Sequence, residues 1–209
     1  MTIMSDICKV GNMTKDGKVQ ILFHSTQGEE FIPTKRDEDA CEDIYATYPE
    51  GVEIVIVRPH ETKMFKTGLY SVIPETHYVS LAERGSTGTR SIGQRSGVID
   101  SGYRGEWGVP VTNHSEKYLV IAKEYIDDES IISAIKDDIK TYSQKMQLRS
   151  ALALEYLENE GFIRYSMDSA ICQMELLPSI PREIVYATKE EILSVPSKRG
   201  AGKLGSTSK

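Results

Sequence analysis

Gly97-Val98-Ile99-Asp100-Ser101-Gly102-Tyr103-Arg104-Gly105-Glu106 is the stretch around which the chain is organised. A β-branched pair, a carboxylate, an aromatic ring and a Ser-Gly turn fall within one hairpin's length. Val98 and Ile99 favour a strand, Ser101-Gly102 suits the positive φ of a short hairpin turn, and Gly105, Val109 and Val111 restart an extended run. Asp100 and Tyr103 are therefore expected to flank one hairpin tip. A carboxylate there can take a proton from water, and a phenol ring can floor a pocket for a flat or cyclic ligand. The same residues also suit a plain Asx-type turn with a packing tyrosine.

At 209 residues the chain suits a single core plus an elaboration, and 39% hydrophobic residues can supply that core. No apolar run approaches the roughly 20 residues that span a bilayer, and the first 18 residues lack the apolar stretch of a secretory signal, so no membrane and a cytoplasmic location are expected. Cys8, Cys41 and Cys172 are odd in number and widely spaced, which suits reduced thiols rather than disulfides or zinc. A net charge of -6 argues against nucleic acid as a partner, while leaving room for a small polyanion on a local basic cluster.

Residues 1–17 show no periodicity and read as an N-terminal extension. Lys18 to His24 alternates as a first strand, with Val19, Ile21 and Phe23 on one face. A polar loop with Ile32-Pro33-Thr34 leads to the acidic stretch Asp39 to Ala46. Further strands are expected at Val52 to Val57, at Lys63 to Ile73 split by Thr67-Gly68, and at Tyr78 to Ala82. The last delivers the chain to Glu83-Arg84-Gly85-Ser86-Thr87-Gly88. There Arg84 offers a bidentate fork, Ser86 a hydroxyl, and Gly85 and Gly88 let backbone N–H groups approach an anion. Gly105 to Asn113 and Lys117 to Ile126 read as paired strands around the turn Asn113-His114-Ser115.

The period then changes. Asp127-Asp128 can cap a helix, and Ile131, Ile135, Ile139, Tyr142, Met146, Leu152 and Leu157 recur at helical spacing until Gly161. One helix of about 30 residues would be about 45 Å long, so it must project or fold back as a pair. Phe162 to Tyr165 and Ala170 to Leu177 return to strand character, and Glu183 to Tyr186 reads as a last strand. Gln173 in this region suits either a phosphate-contacting amide or a glutamine that ties backbone groups. The Gly-rich end, residues 198–209, reads as a flexible arm.

Gly97-Val98-Ile99-Asp100-x-x-Tyr103-Arg104-Gly105-Glu106 resembles the third motif of the homotrimeric dUTPases, and the other four motifs follow in order. Asp39 to Ala46 resembles the first, with Asp43 matching its acid and Cys41-Glu42 replacing the usual Gly-Tyr. Arg84-Gly85-Ser86 resembles the second, with Gly85 a departure from the usual Arg-Ser-Gly or Arg-Ser-Ser. Ile171-Cys172-Gln173 resembles the fourth. Arg199-Gly200-x-Gly202-x-Leu204-Gly205-Ser206-Thr207 resembles the fifth, with Leu204 where the base-stacking Phe usually lies. The chain is similar to bacteriophage or bacterial members of that family carrying a helical insertion.

The resemblance implies a mainly β, jelly-roll-like core at 18–126 and 162–197, a helical insertion at 127–161 between motifs three and four, and a C-terminal arm at 198–209. It implies a homotrimer with shared active sites that hydrolyses dUTP to dUMP and pyrophosphate. In that scheme Asp100 activates water, Tyr103 lies beneath the deoxyribose, and Gly97, Val98 and Ile99 pair with uracil. Arg84, Gly85, Ser86, Gln173, Arg199, Leu204, Gly205, Ser206 and Thr207 engage the rest of the nucleotide, and Mg2+ bridges phosphate oxygens with Asp43 reaching it through water. A dCTP deaminase is the nearest alternative, but it needs a glutamate where Pro110 stands. A different class of function is regulation, with the insertion docking a protein partner. An exposed apolar stripe would favour docking and a buried one would weaken it. The insertion is expected to be dispensable for hydrolysis.

Overall fold

The structure is a computed structural model that describes residues 14, 17–146 and 150–197. Its strands are β1 (Leu22–Ser25), β2 (Glu42–Ile44), β3 (Ile54–Val57), β4 (Thr62–Lys66), β5 (Leu69–Val72) and β6 (His77–Ala82). They continue with β7 (Ile92–Gln94), β8 (Val98–Ile99), β9 (Gly108–Asn113), β10 (Tyr118–Ala122), β11 (Phe162–Ser166) and β12 (Cys172–Pro178). Helices are the single turn α1 (Gly85–Gly88), then α2 (Asp128–Met146), α3 (Ala151–Glu160) and α4 (Lys189–Ser194). The strands form small sheets in the orders β1-β5, β11-β10-β3, β2-β12-β6-β8 and β4-β9-β7. A compact unit ends at Ser179, and a second begins at Ile180.

Strand β10 shows why the fold has two cores. All five of its residues are buried, and the period of two divides them between opposite faces. Leu119 and Ile121 enter the main core with Trp107, Val57, Leu69 and Val109. Tyr118, Val120 and Ala122 face the other way and meet Ile131, Ile135, Ile139 and Leu157 of the helices. The apolar stripe of the insertion is therefore used up against the β11-β10-β3 sheet, which weakens the docking reading. Removing the helices would strip one face of a central strand.

The helical region folds back as a pair. Asp127 caps α2 by accepting the Ser130 amide at 2.7 Å and its hydroxyl at 3.1 Å. Gly161 ends α3 at φ 69 with its amide donating to Leu157 at 2.9 Å. Arg58 at the end of β3 grips Asp138 of α2 through two bonds of 2.8 and 2.6 Å and lies 4.2 Å from the Tyr142 ring centre. Leu152 belongs to the expected stripe but points to solvent. The two helices also supply the crossover that lets β10 and β11 pair in parallel.

Two expected hairpins are absent. β8 pairs with β6, and β9 pairs with β4 and β7, so the Gly97–Glu106 stretch turns between two sheets. Gly102 is not among the glycines of positive φ, and the turn closes instead by the Tyr103 amide donating to the Asp100 carbonyl at 3.0 Å. Nor do β9 and β10 pair. The buried Asn113 amide donates to the carbonyls of Val57, Arg58 and Lys117 at 3.1, 3.2 and 2.7 Å, sending β10 to β3. The expected strand at Glu183 to Tyr186 is also not formed, and the ordered element nearby is α4. Its Thr188 and Glu191 form a capping box that satisfies the first turn locally.

Two outcomes follow from this packing. Ile135 is fully buried between helix and sheet, so Ile135→Ala is expected to cost about 2–5 kcal/mol in denaturant unfolding. Burial, and after it the Asp43 carboxylate, push the Cys172 thiol up to about 12 from an ordinary 9.0. The unfolded thiol ionises first, so this contribution to stability is whole below pH 9.0 and is lost as pH rises toward 12. Melting temperatures of Cys172→Ala should fall less steeply than those of the parent above pH 9.0.

Candidate active site

The site is set by the position of β12 between two antiparallel neighbours. Gln173 faces Asp43 of β2 on one side and Ala82 of β6 on the other. With strands about 4.8 Å apart, three positions lie in a row about 10 Å wide. Just past Ala82, the Arg84 guanidinium turns back over this row. Its Nε and Nη2 donate to the two oxygens of Asp43 at 2.9 and 3.1 Å, and its Nη1 donates to the Ala170 carbonyl at 3.2 Å. Gln173 Nε2 donates to the Glu83 carbonyl at 2.7 Å, fixing the backbone that carries Arg84.

The expected Gly-Ser turn is a single helical turn, α1. The Arg84 amide donates to the Thr87 hydroxyl at 3.1 Å, and the Thr87 and Gly88 amides return to the Arg84 carbonyl at 3.0 and 2.9 Å. Gly85 and Ser86 are exposed, and a Cβ added to Gly85 would meet open space. Together Asp43, Arg84, Gly85, Ser86 and Gln173 line a cleft of about 920 Å³. Its far wall is the loop after Thr34, whose carbonyl accepts a hydrogen bond from the Asp43 amide at 3.0 Å. Arg36 holds Asp39 by two bonds of 2.8 and 3.2 Å, and this hydrogen bonding keeps the Asp39 carboxyl below its usual range.

Lys35, Arg36 and Glu83 escaped the sequence reading. The basic pair directly after Ile32-Pro33-Thr34 was the available signal for the first two. Glu83 acts mainly through its backbone carbonyl, which no side-chain pattern reveals.

The second group of expected residues lies elsewhere on the protomer. Asp100 is exposed at the end of β8. Tyr103 beside it is held by its hydroxyl, which donates to the Glu106 carbonyl at 2.9 Å, and its ring fills the space over Gly105. Glu106 in turn accepts the Gly68 amide at 3.1 Å and meets Lys66 at 3.1 Å, bracing the loop on the β4–β5 turn. β8 is the edge of its sheet. The Gly97 carbonyl accepts the Leu81 amide at 2.7 Å, so by the alternation of the ladder the Val98 amide and carbonyl face the open edge.

These two groups do not meet within the chain. Ile99 is opposite Val79, which places Asp100 level with Tyr78. Arg84 lies six residues further along, at about 20 Å by strand rise. Arg199, Leu204, Gly205, Ser206 and Thr207 lie outside the described residues.

Residues 28–125 match the family model described as dUTPase. That span contains Asp43, Arg84, Ser86, Asp100 and Tyr103, stops just before α2, and excludes Gln173 and the arm. The chain is 34% identical over 89 residues to a deoxyuridine 5'-triphosphate nucleotidohydrolase of Picosynechococcus, covering 41% of this chain and 59% of that protein. It is 28% identical over 102 residues to the corresponding protein of Clostridioides difficile, covering 47% and 68%. It is also 29% identical over 106 residues to a Pol polyprotein of caprine arthritis encephalitis virus, covering 51% of this chain and 9% of the polyprotein. The chain thus spans less than two thirds of several of its curated relatives.

Among solved structures, the Staphylococcus bacteriophage 80alpha dUTPase with dUpNHpp superposes with a TM-score of 0.57 at 16% identity, covering 91% of this chain and 99% of that one. The dUTPase from phage phi11 of S. aureus gives 0.51 at 16% identity, covering 80% and 96%. These likenesses give the fold: mainly β, with helices at the position of α2 and α3. Residues 28–125, just under half of the chain, carry its likeness to the dUTPase family.

Proposed function

We propose that the protein hydrolyses dUTP to dUMP and pyrophosphate at sites completed between the subunits of a homotrimer. The observation that carries this reading is the separation of two chemically complementary groups on one protomer. An anion-binding row, Arg84, Ser86 and Gln173, stands at one end of β6, and a carboxylate with an aromatic floor, Asp100 and Tyr103, stands at the other. A nucleoside triphosphate needs both within its own length, and a neighbouring copy supplies the missing half. The unit from Ile180 fits an assembled state too: Ile184 and Tyr186 are each 89% exposed, a burden for an isolated chain.

In this reading the open edge at Val98, flanked by Gly97 and Ile99, offers an amide and a carbonyl to the uracil edge. Tyr103, fixed by Glu106 and Gly105, lies flat against the sugar, where a 2′-hydroxyl would clash. Asp100 orients the attacking water and takes its proton as oxygen closes on the α-phosphorus, and pyrophosphate leaves. Arg84, Gly85, Ser86 and Gln173 hold the phosphate chain. Arg199, Leu204, Gly205, Ser206 and Thr207 of the arm close the site, with Leu204 covering the base by apolar contact rather than stacking.

The donor set suits Mg2+ delivered on the substrate. Among the described residues no cluster of three or more His, Cys, Asp or Glu side chains could hold a metal. Asp43 has both oxygens on Arg84, so it would reach the ion through water. When bound, the cation neutralises phosphate charge. The deaminase alternative lacks its acid, because Pro110 sits in β9 opposite Met64 and cannot shuttle protons.

Incubation with each deoxynucleoside triphosphate and Mg2+, followed by product identification, is expected to give dUMP and pyrophosphate from dUTP alone. Asp100→Asn should retain fold and nucleotide binding but lower turnover at least about 10²-fold; near-normal turnover would remove Asp100 from the chemistry. The shared site has its own check. Asp100→Asn and Arg84→Ala, each inactive alone, should regain activity at about a quarter of the sites when unfolded and refolded together, since a trimer then combines intact halves. No recovery in mixed trimers of confirmed composition would place each site within one subunit.

A further inference from the structure

We propose that Lys35 binds the terminal phosphate of the nucleotide and so makes the site selective for triphosphate over monophosphate; this rests on the dUTPase reading above. Three cations line the cleft: Lys35, Arg36 and Arg84. Two are already engaged by a carboxylate through two short bonds, Arg84 with Asp43 and Arg36 with Asp39. Lys35 differs. Its ammonium donates to one backbone carbonyl, that of Asp39, at 2.9 Å, and its nearest carboxylate oxygen, on Glu42, is 3.9 Å away. An ammonium has three N–H donors, so two remain for an incoming anion.

Position supports the same assignment. The Thr34–Asp43 bridge sets the loop beside β2, giving the order Thr34, Asp43, Gln173, Ala82 across the cleft floor. The row from Thr34 to Ala82 spans about 14 Å by strand spacing, with Ser86 following Ala82 at one margin and Lys35 following Thr34 at the other. A phosphate chain that starts against Ser86 and Arg84 runs over Gln173 and ends at Lys35. The lining carries Glu38, Asp39 and Asp43 against the three cations, so the cleft has no surplus positive charge. The last phosphate therefore depends on the one cation not neutralised at short range.

The test compares the full-length protein with Lys35→Met and Lys35→Arg, using dUTP with Mg2+ as substrate and dUMP as competing product. One charge-assisted contact is worth about 1.5 kcal/mol or more, so Lys35→Met is expected to raise KM for dUTP about tenfold. Turnover at saturation and inhibition by dUMP should stay at parent values, and Lys35→Arg should restore most of the affinity. The side chain is partly exposed and tied to a surface loop, and an unchanged melting temperature confirms the fold. A parent KM in Lys35→Met overturns the proposal, as does a loss of dUMP affinity equal to that of dUTP, which would put Lys35 on the α-phosphate. If the parent protein leaves dUTP intact, the dUTPase reading itself fails and this assignment goes with it.

Discussion

The register of β12 against β2 and β6 is the constraint on which the cleft depends. Cys172 and Met174 are buried, and Gln173 between them is directed to the opposite face, where Asp43 and Ala82 flank it. Because side chains alternate with a period of two, a slip of one residue would put the thiol and the thioether into the cleft and Gln173 into the core. The apolar pair therefore locks the polar residue in place. The Gln173 bond to the Glu83 carbonyl then holds the turn into α1, and the Arg84 clasp on Asp43 closes the row from above. Core packing and anion recognition are two faces of a single strand.

Much of this was legible in local sequence. Strand-forming runs marked β4, β5, β6 and β12, the change to a 3.6-residue period marked α2 and α3, and Asp127 and Gly161 announced their ends. What was not legible is pairing. The residues of β9 and β10 suit a hairpin with each other, yet each finds a partner far away in the chain, and the cause is non-local: Asn113 spends its amide on Val57, Arg58 and Lys117. The site shows the same limit. Asp43, Arg84 and Gln173 could be singled out by type and motif, but that Asp43 is engaged with Arg84, while Lys35 is not so engaged, becomes visible only when residues 35, 43 and 84 line one cleft.

The helices change meaning once the strand beneath them is known. A stripe of isoleucines read from sequence is equally a docking face or a core face. Here Val120 and Ala122 at full burial decide for the core, and the Arg58–Asp138 clasp, with Tyr142 over the guanidinium, fixes the orientation of α2 on β3. Among the described residues, the large apolar side chains that α2 and α3 expose are Leu152 and Tyr156.

The parallel pairing of β10 with β11 sets an order of events during synthesis. When Ala122 has left the ribosome, β10 can join β3, but Tyr118, Val120 and Ala122 then face water until α2 follows. Only after both helices have emerged can Phe162–Ser166 settle alongside and complete the sheet. The nascent chain thus passes through an interval in which an apolar sheet face has no cover, the condition in which chains adhere to one another or to a chaperone. The Asp127 cap favours the first turn of α2 by local bonds, and the helix gains its full stability on docking against that face. Its first service to the protein is as a shield during its own birth.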